Sequence, residues 1–123
     1  MSTLPILVVE DEPDGQELVA RLLSQVNLSV DVAGTAEQAW TMMQSQAYAC
    51  AIIDLALPGQ DGFQLISAIR GDGHLKSLPC IAVTAYHTSE MRHAALQYGF
   101  DAYLPKPLNR TLFLNAVDGL IGQ

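Results

Sequence analysis

Ile6-Leu-Val-Val-Glu-Asp11 is four apolar residues without polar alternation, closed by two carboxylates. A run of that kind reads as a strand covered on both faces, as strands of parallel sheets are. Three later stretches repeat the pattern: Ala51-Ile-Ile53 is followed by Asp54, Ile81-Ala-Val83 by Thr84, and Tyr103-Leu-Pro105 by Lys106 and Pro107. If the runs are parallel strands, all four polar interruptions lie at strand carboxyl ends, along one edge of one sheet. Open α/β sheets place their ligand crevices at that edge. Three carboxylates, a hydroxyl and an ammonium gathered there suit a divalent cation and a phosphoryl group.

Outward from these runs, strands and helices alternate five times. The predicted strands are Ile6–Val9, Ser29–Ala33, Ala49–Leu55, Cys80–Thr84 and Ala102–Leu104. Between them, Val19, Leu22, Leu23 and Val26 follow the i, i+3, i+4, i+7 spacing of a core-facing helix. Ala36, Ala39, Trp40 and Met43 repeat it, as do Met91, Ala94, Ala95 and Tyr98, and Phe113, Ala116, Val117 and Leu120. The third helix is less regular, with Leu65, Ile66 and Ile69 as its apolar face. Thr35-Ala-Glu-Gln38 predicts a capping box, Pro13 suits a first helical turn, Asn109 an N-cap, and Gly71 and Gly99 suit C-caps. Alternation of this kind implies a parallel sheet with right-handed crossovers and helices on both faces.

Composition narrows the function. At 123 residues, half of them apolar and 15% charged, the chain reads as one folded domain over 1–123. A net charge of −7 leaves no basic stripe to neutralise phosphates, so direct nucleic-acid binding is not expected. No apolar stretch approaches the ~20 residues that span a bilayer. Met1-Ser-Thr-Leu-Pro5 lacks the basic start of a secretory signal, so a cytoplasmic location is expected. Cys50 and Cys80 each precede a site residue by four positions, which would set them at similar height on similar faces of neighbouring strands. The preferred reading is nevertheless two buried free thiols. His74, His87 and His93 have no partner at metal-ligand spacing and read as surface residues, His87 near the face of the last helices.

Taken one at a time, the polar residues are ambiguous. Asp54 suits a turn cap as well as a site, although Leu55-Ala56-Leu57 continues apolar past it. Thr84 suits a strand, Tyr103 a packing position, and Lys106 a solvated sheet edge. Glu12 and Asp14 read as first-turn acidity at a helix dipole. Glu10 and Asp11 set beside Asp54 are different: like charges so close repel, and a hard divalent cation relieves them.

The stretches Ile6-Leu-Val-Val-Glu-Asp-Glu-Pro13, Ile52-Ile-Asp-Leu-Ala-Leu-Pro-Gly-Gln-Asp-Gly62, Ala82-Val-Thr-Ala85 and Tyr103-Leu-Pro-Lys-Pro107 resemble, in order and spacing, the receiver domain of two-component response regulators. The resemblance implies an α/β fold of flavodoxin-like type: a doubly wound sheet of five parallel strands in the order 2-1-3-4-5, flanked by five helices. It implies that Asp54 accepts a phosphoryl group from a phosphohistidine of a sensor histidine kinase or histidine phosphotransfer protein. Mg²⁺, with Mn²⁺ as a substitute, would be bound directly by Asp11 and Asp54, through water by Glu10, and by the main-chain carbonyl of Ala56. Lys106 and Thr84 would meet the phosphoryl oxygens. Thr84 and Tyr103 would act as the switch, Tyr103 turning inward into space vacated by the threonine. The Lys106-Pro107 peptide would be cis, and Ala56 and Tyr86 would tune the phosphate lifetime. The face of helix 4, strand 5 and helix 5, around Tyr103 and Arg110, would signal to a downstream protein or output domain and could pair two copies. Catalysis would be limited to Mg²⁺-dependent transfer to the chain itself and its reversal by water.

Three competing readings make different demands. A haloacid-dehalogenase-like phosphatase needs a second acid two residues after its aspartate nucleophile, where this chain has Ala56. A flavin or dinucleotide module needs a glycine-rich turn after the first strand, where this chain has Glu10-Asp11-Glu12. A degenerate, scaffold-only receiver would have lost site residues, and all five are present.

Overall fold

The computed structural model describes residues 4–57 and 59–122. Residues 1–3, on which the reading of the N-terminus partly rests, lie outside them, as do Pro58 and Gln123. The elements are β1 (Ile6–Val9), α1 (Pro13–Ser24), β2 (Val30–Ala33), α2 (Ala36–Ser45), β3 (Cys50–Asp54), α3 (Gly62–Gly71), β4 (Cys80–Thr84), α4 (Ser89–Tyr98), β5 (Ala102–Pro105) and α5 (Arg110–Ile121). The strands form one parallel sheet in the order β2-β1-β3-β4-β5, a flavodoxin-like fold.

The three central strands are buried at every position, which is why their sequences lack alternation. Alternate residues then serve opposite faces. Ile6, Val8, Ile52, Ile81 and Val83 pack with Val19, Leu22 and Leu23 of α1 and with Phe113 and Val117 of α5. Leu7, Val9, Ala51, Ile53 and Ala82 pack against α2, α3 and α4 through Ala36, Ala39, Met43, Leu65, Ile66, Ile69 and Ala95. β2 is an edge strand whose first three residues are only half-buried, so it tolerates Asp31. The Asp31 carboxylate accepts a 2.8 Å bond from the Tyr48 hydroxyl. Burial, with that carboxylate beside it, pushes the Tyr48 phenol up to about 12.

Several local expectations need correction. Val26 is 43% exposed, because α1 ends at Ser24 and the chain turns away through Asn27 in the left-handed region. There the Asn27 and Leu28 amides close onto Ser24 and Leu23 carbonyls. Tyr98 is also exposed. Gly71 is the last helical residue of α3, and the extended Asp72 is its cap, whereas Gly99 does end α4 in the left-handed conformation. At α2, Thr35 caps the Gln38 amide as expected, but the Gln38 side chain accepts from Gly34 rather than Thr35. The complete capping box lies instead at Asp61 and Gln64. β2 and β5 differ from their predicted bounds by one residue at one end, and β3 by one residue at each end.

The cysteines are free and buried, but not on similar faces. β3 and β4 pair Ala51 with Cys80, a shift of one residue, so Cys50 joins the α1/α5 core and Cys80 the opposite one. Burial pushes both thiols up to about 12.

Arg70 was not marked by the sequence, yet it fastens three segments at the amino end of the sheet. Its guanidinium donates to the carbonyls of Gly99, Lys76 and Leu78 and to the Asp101 carboxylate. The same carboxylate accepts the Cys80 amide. Arg70→Ala should therefore destabilise the protein by about 2–3 kcal/mol, because partly buried carbonyls lose charged donors. Chemical denaturation measures this, and an unchanged midpoint would show the clasp to be inert.

Candidate functional site

Parallel pairing sets Val9 beside Ile53, and Asp54 beside Val83, while Thr84 pairs with Pro105. The carboxyl ends of β1, β3, β4 and β5 therefore finish at one level. Glu10 follows β1, tied by its amide to the Ala33 carbonyl at 3.0 Å and by its carbonyl to the Gln16 side chain at 2.7 Å. Asp54 is the last residue of β3. Lys106 follows β5, its amide bonded to the Thr84 carbonyl, and the Lys106-Pro107 peptide is cis. β1 lies between β2 and β3, so successive connections leave it in opposite directions, and this switch point opens the crevice.

Glu10 and Asp54 are both buried carboxylates, and the Lys106 ammonium joins them. Its Nζ donates to Glu10 Oε1 at 2.5 Å and to Asp54 Oδ2 at 2.9 Å. The other Asp54 oxygen, Oδ1, accepts the Ala56 amide at 2.9 Å. Asp11 is exposed at the mouth, and one oxygen from each of Glu10, Asp11 and Asp54 lies within 4.8 Å of the others. Three hard oxygen donors so close fit Mg²⁺ or Mn²⁺ better than any softer ion. Burial raises the Glu10 carboxyl above its ordinary range, and the Asp54 charge adds to this, despite the opposing bond from Lys106. Burial alone would lower the Lys106 ammonium, but its bonds to both carboxylates outweigh that and raise it.

The remaining expected residues frame the pocket. Thr84 is buried, and its hydroxyl accepts the Tyr86 amide at 3.1 Å. Ala56 is exposed and Tyr86 is 70% exposed. Tyr103 is already inward, 5% exposed, while Thr84 keeps its bond to Tyr86. The phenol is raised mainly by burial and stays protonated near neutrality. Arg110 lies apart, bonded to Gln25 at 2.8 Å.

Two glycines that sequence reading passed over make this packing feasible. A Cβ on Gly15 would lie 2.5 Å from Glu10 Oε1, and one on Gly62 would lie 2.8 Å from the Asp54 carbonyl oxygen and Leu55 Cα. Glycine inside a helical pattern is the sequence signal for such close approach. His87 was expected on the surface, which is correct, but its Nδ1 lies 2.9 Å from the Tyr103 hydroxyl.

The sign of the pH dependence follows from the shifts. Lys106 is raised, so its contribution is complete below its ordinary value near 10.5 and fades as pH climbs through the folded value. Glu10 is raised, so the fold favours its protonated form, and that preference is lost as pH rises from below 4.5 through the folded value. Lys106→Met leaves two buried carboxylates unbalanced. In EDTA at pH 7 it should cost about 2 kcal/mol, less than a fully enclosed pair because the side chain is 22% exposed. The deficit should shrink as pH falls and Glu10 takes up its proton; urea titrations at pH 7 and at lower pH check this, and a pH-independent deficit would contradict it.

Comparison with known proteins accords with the geometry. The family model of the response regulator receiver domain matches residues 6–118. The chain is 38% identical over 109 residues to an uncharacterised 14.6 kDa protein of Leptolyngbya boryana, covering 89% of this chain and 83% of that one. It is 35% identical to response regulator Rre1 of Synechocystis, covering 86% of this chain but 46% of that protein, so it spans about half of that longer relative. Among solved structures it is similar to the receiver domain of a Pseudomonas aeruginosa sensor histidine kinase with magnesium coordinated in its active-site cleft. The TM-score is 0.89 at 30% identity, covering 99% of this chain and 100% of that one. A receiver domain protein of Methanospirillum hungatei superposes with a TM-score of 0.88 at 25% identity, covering 98% and 94%. The chain belongs to the response regulator receiver domain family.

Proposed function

We propose that the chain is a phosphoacceptor switch in which Asp54 takes a phosphoryl group from a phosphohistidine of a sensor kinase or histidine phosphotransfer protein. The observation that carries this is the setting of Asp54. It is a buried carboxylate at the switch point, held by Lys106 on one oxygen and the Ala56 amide on the other, next to two further acids. A carboxylate oxygen of Asp54 bonds to phosphorus as the P–N bond breaks, and the electron pair leaves with the imidazole nitrogen. Glu10, Asp11, Asp54 and the Ala56 carbonyl would hold Mg²⁺, with Mn²⁺ as a substitute. When bound, the ion supplies positive charge to the phosphoryl oxygens.

The chain's own residues do the rest. Lys106 exchanges a carboxylate partner for a phosphoryl oxygen, and Thr84 releases the Tyr86 amide to bond another. The acyl phosphate carries about one more negative charge than the carboxylate. That charge is read through Thr84 and Tyr103 by a downstream protein or output domain at the face of α4, β5 and α5, where two copies could also pair. Water reverses the modification along the open side at Ala56 and Tyr86, so turnover of outside substrates is not part of this function. No helix among the described residues is long and apolar enough to cross a membrane, and we place the protein with its kinase partners in the cytoplasm.

Acetyl phosphate with Mg²⁺ should add one PO₃ to the intact protein by mass spectrometry, and none to Asp54→Ala. An unchanged wild-type mass, or equal labelling of the variant, would remove the basis for this reading. Gly15→Ala should weaken Mg²⁺ binding about tenfold by calorimetry, because the new methyl displaces Glu10 from its seat. Wild-type affinity in that variant would show Glu10 to be free of the ion.

A further inference from the structure

The five residues Thr84–Thr88 leave the site and start α4, and each end is tied down. The Thr84 hydroxyl accepts the Tyr86 amide, and the Thr88 hydroxyl caps α4 by accepting the Met91 amide at 2.9 Å. Between them, His87 is exposed on one side and sits against Tyr103 on the other. Its ring lies 5.4 Å from the phenol ring, tilted by 46°, and Nδ1 is 2.9 Å from the phenolic oxygen. The phenolic hydroxyl and Nδ1 are within hydrogen-bond distance, the donor of the pair being set by the imidazole tautomer. Tyr103 is buried in this arrangement although Thr84 has not left Tyr86.

We propose that His87 is a positioning residue that latches Tyr103 inward, so that the inward phenol is set by the loop after β4 without displacement of Thr84. The proposal rests on Tyr103 being the aromatic through which the site is read. It goes further in assigning what holds that ring. Two consequences follow from the geometry. His87 lies three residues from Thr84, so any movement of the loop that begins at the threonine is delivered to the phenol through one side-chain bond. Removing the bond leaves the ring with only its apolar packing to keep it in, and its position then depends on Thr84.

Tyrosine nitration by tetranitromethane, mapped by peptide mass spectrometry, reads this directly in the full chain without Mg²⁺ or phosphodonor. Tyr86 and Tyr98 are exposed and serve as reactive references, and buried Tyr48 reports on folding. Tyr103 should be protected in the wild type and react about fivefold faster in His87→Leu, the ratio that one neutral hydrogen bond supports. His87→Asn, whose amide oxygen can occupy the place of Nδ1, should restore protection. Wild-type protection of Tyr103 in His87→Leu, with Tyr48 still protected, would overturn the proposal. So would equal exposure in both variants, which would leave ring packing as the cause. Phosphoryl uptake at Asp54 is measured in parallel. Uptake by all three proteins with unaltered Tyr103 protection sinks the latch alone, whereas no uptake by the wild type sinks the phosphoacceptor reading.

Discussion

Two buried carboxylates share one ammonium at the carboxyl edge of the sheet, and the rest of the site is arranged around that fact. Glu10 and Asp54 come from neighbouring strands, and neither has enough water to be charged at no cost. Lys106 reaches both, and is itself held above its usual range by them. One cation does not balance three acids, so the cluster with Asp11 remains short of positive charge. A deficit of that sort suits a dication electrostatically, and less so when an acid is neutralised. The same tension makes Asp54 sensitive: a change at its carboxylate is felt by Lys106 and Glu10 together.

Holding this cluster depends on features that are themselves structural. Three fully covered strands fix the level at which the acids emerge, because a slip of one residue would turn each acid to the wrong face. The offset between Cys50 and Cys80 shows how such a slip acts, since a single residue sends the two thiols to opposite cores. The glycines at 15 and 62 remove methyl groups where the Glu10 side chain and the end of β3 need the space. At the far end of the sheet, Arg70 ties α3 to the turn between α4 and β5. The α4 end at Gly99 is thereby anchored, while the α4 start at Thr88 follows directly on the loop that carries Tyr86 and His87. A helix fixed at one end and led by the site at the other is suited to carrying a local change to the surface.

The sequence itself determined the five-fold alternation of strands and helices, the covered character of the three central strands and the placement of polar residues at strand ends. These are consequences of local periodicity: an unbroken apolar run can only be buried on both sides, and the first polar residue after it must lie at an edge. With the resemblance of four motifs it also indicated the family, and it named Glu10, Asp11, Asp54, Thr84, Tyr103 and Lys106. What it could not determine depends on distance across the chain. The bond of Lys106 to Glu10 spans 96 positions, and the seat that Gly15 leaves for Glu10 depends on how α1 packs above β1. His87 carries no periodic or motif signal, and its bond to Tyr103 exists only because β5 lies beside β4. The choice of which faces meet, which cysteine enters which core, and which histidine touches the buried phenol was made by strand register and helix packing, because those alone bring residues remote in the chain within hydrogen-bonding reach.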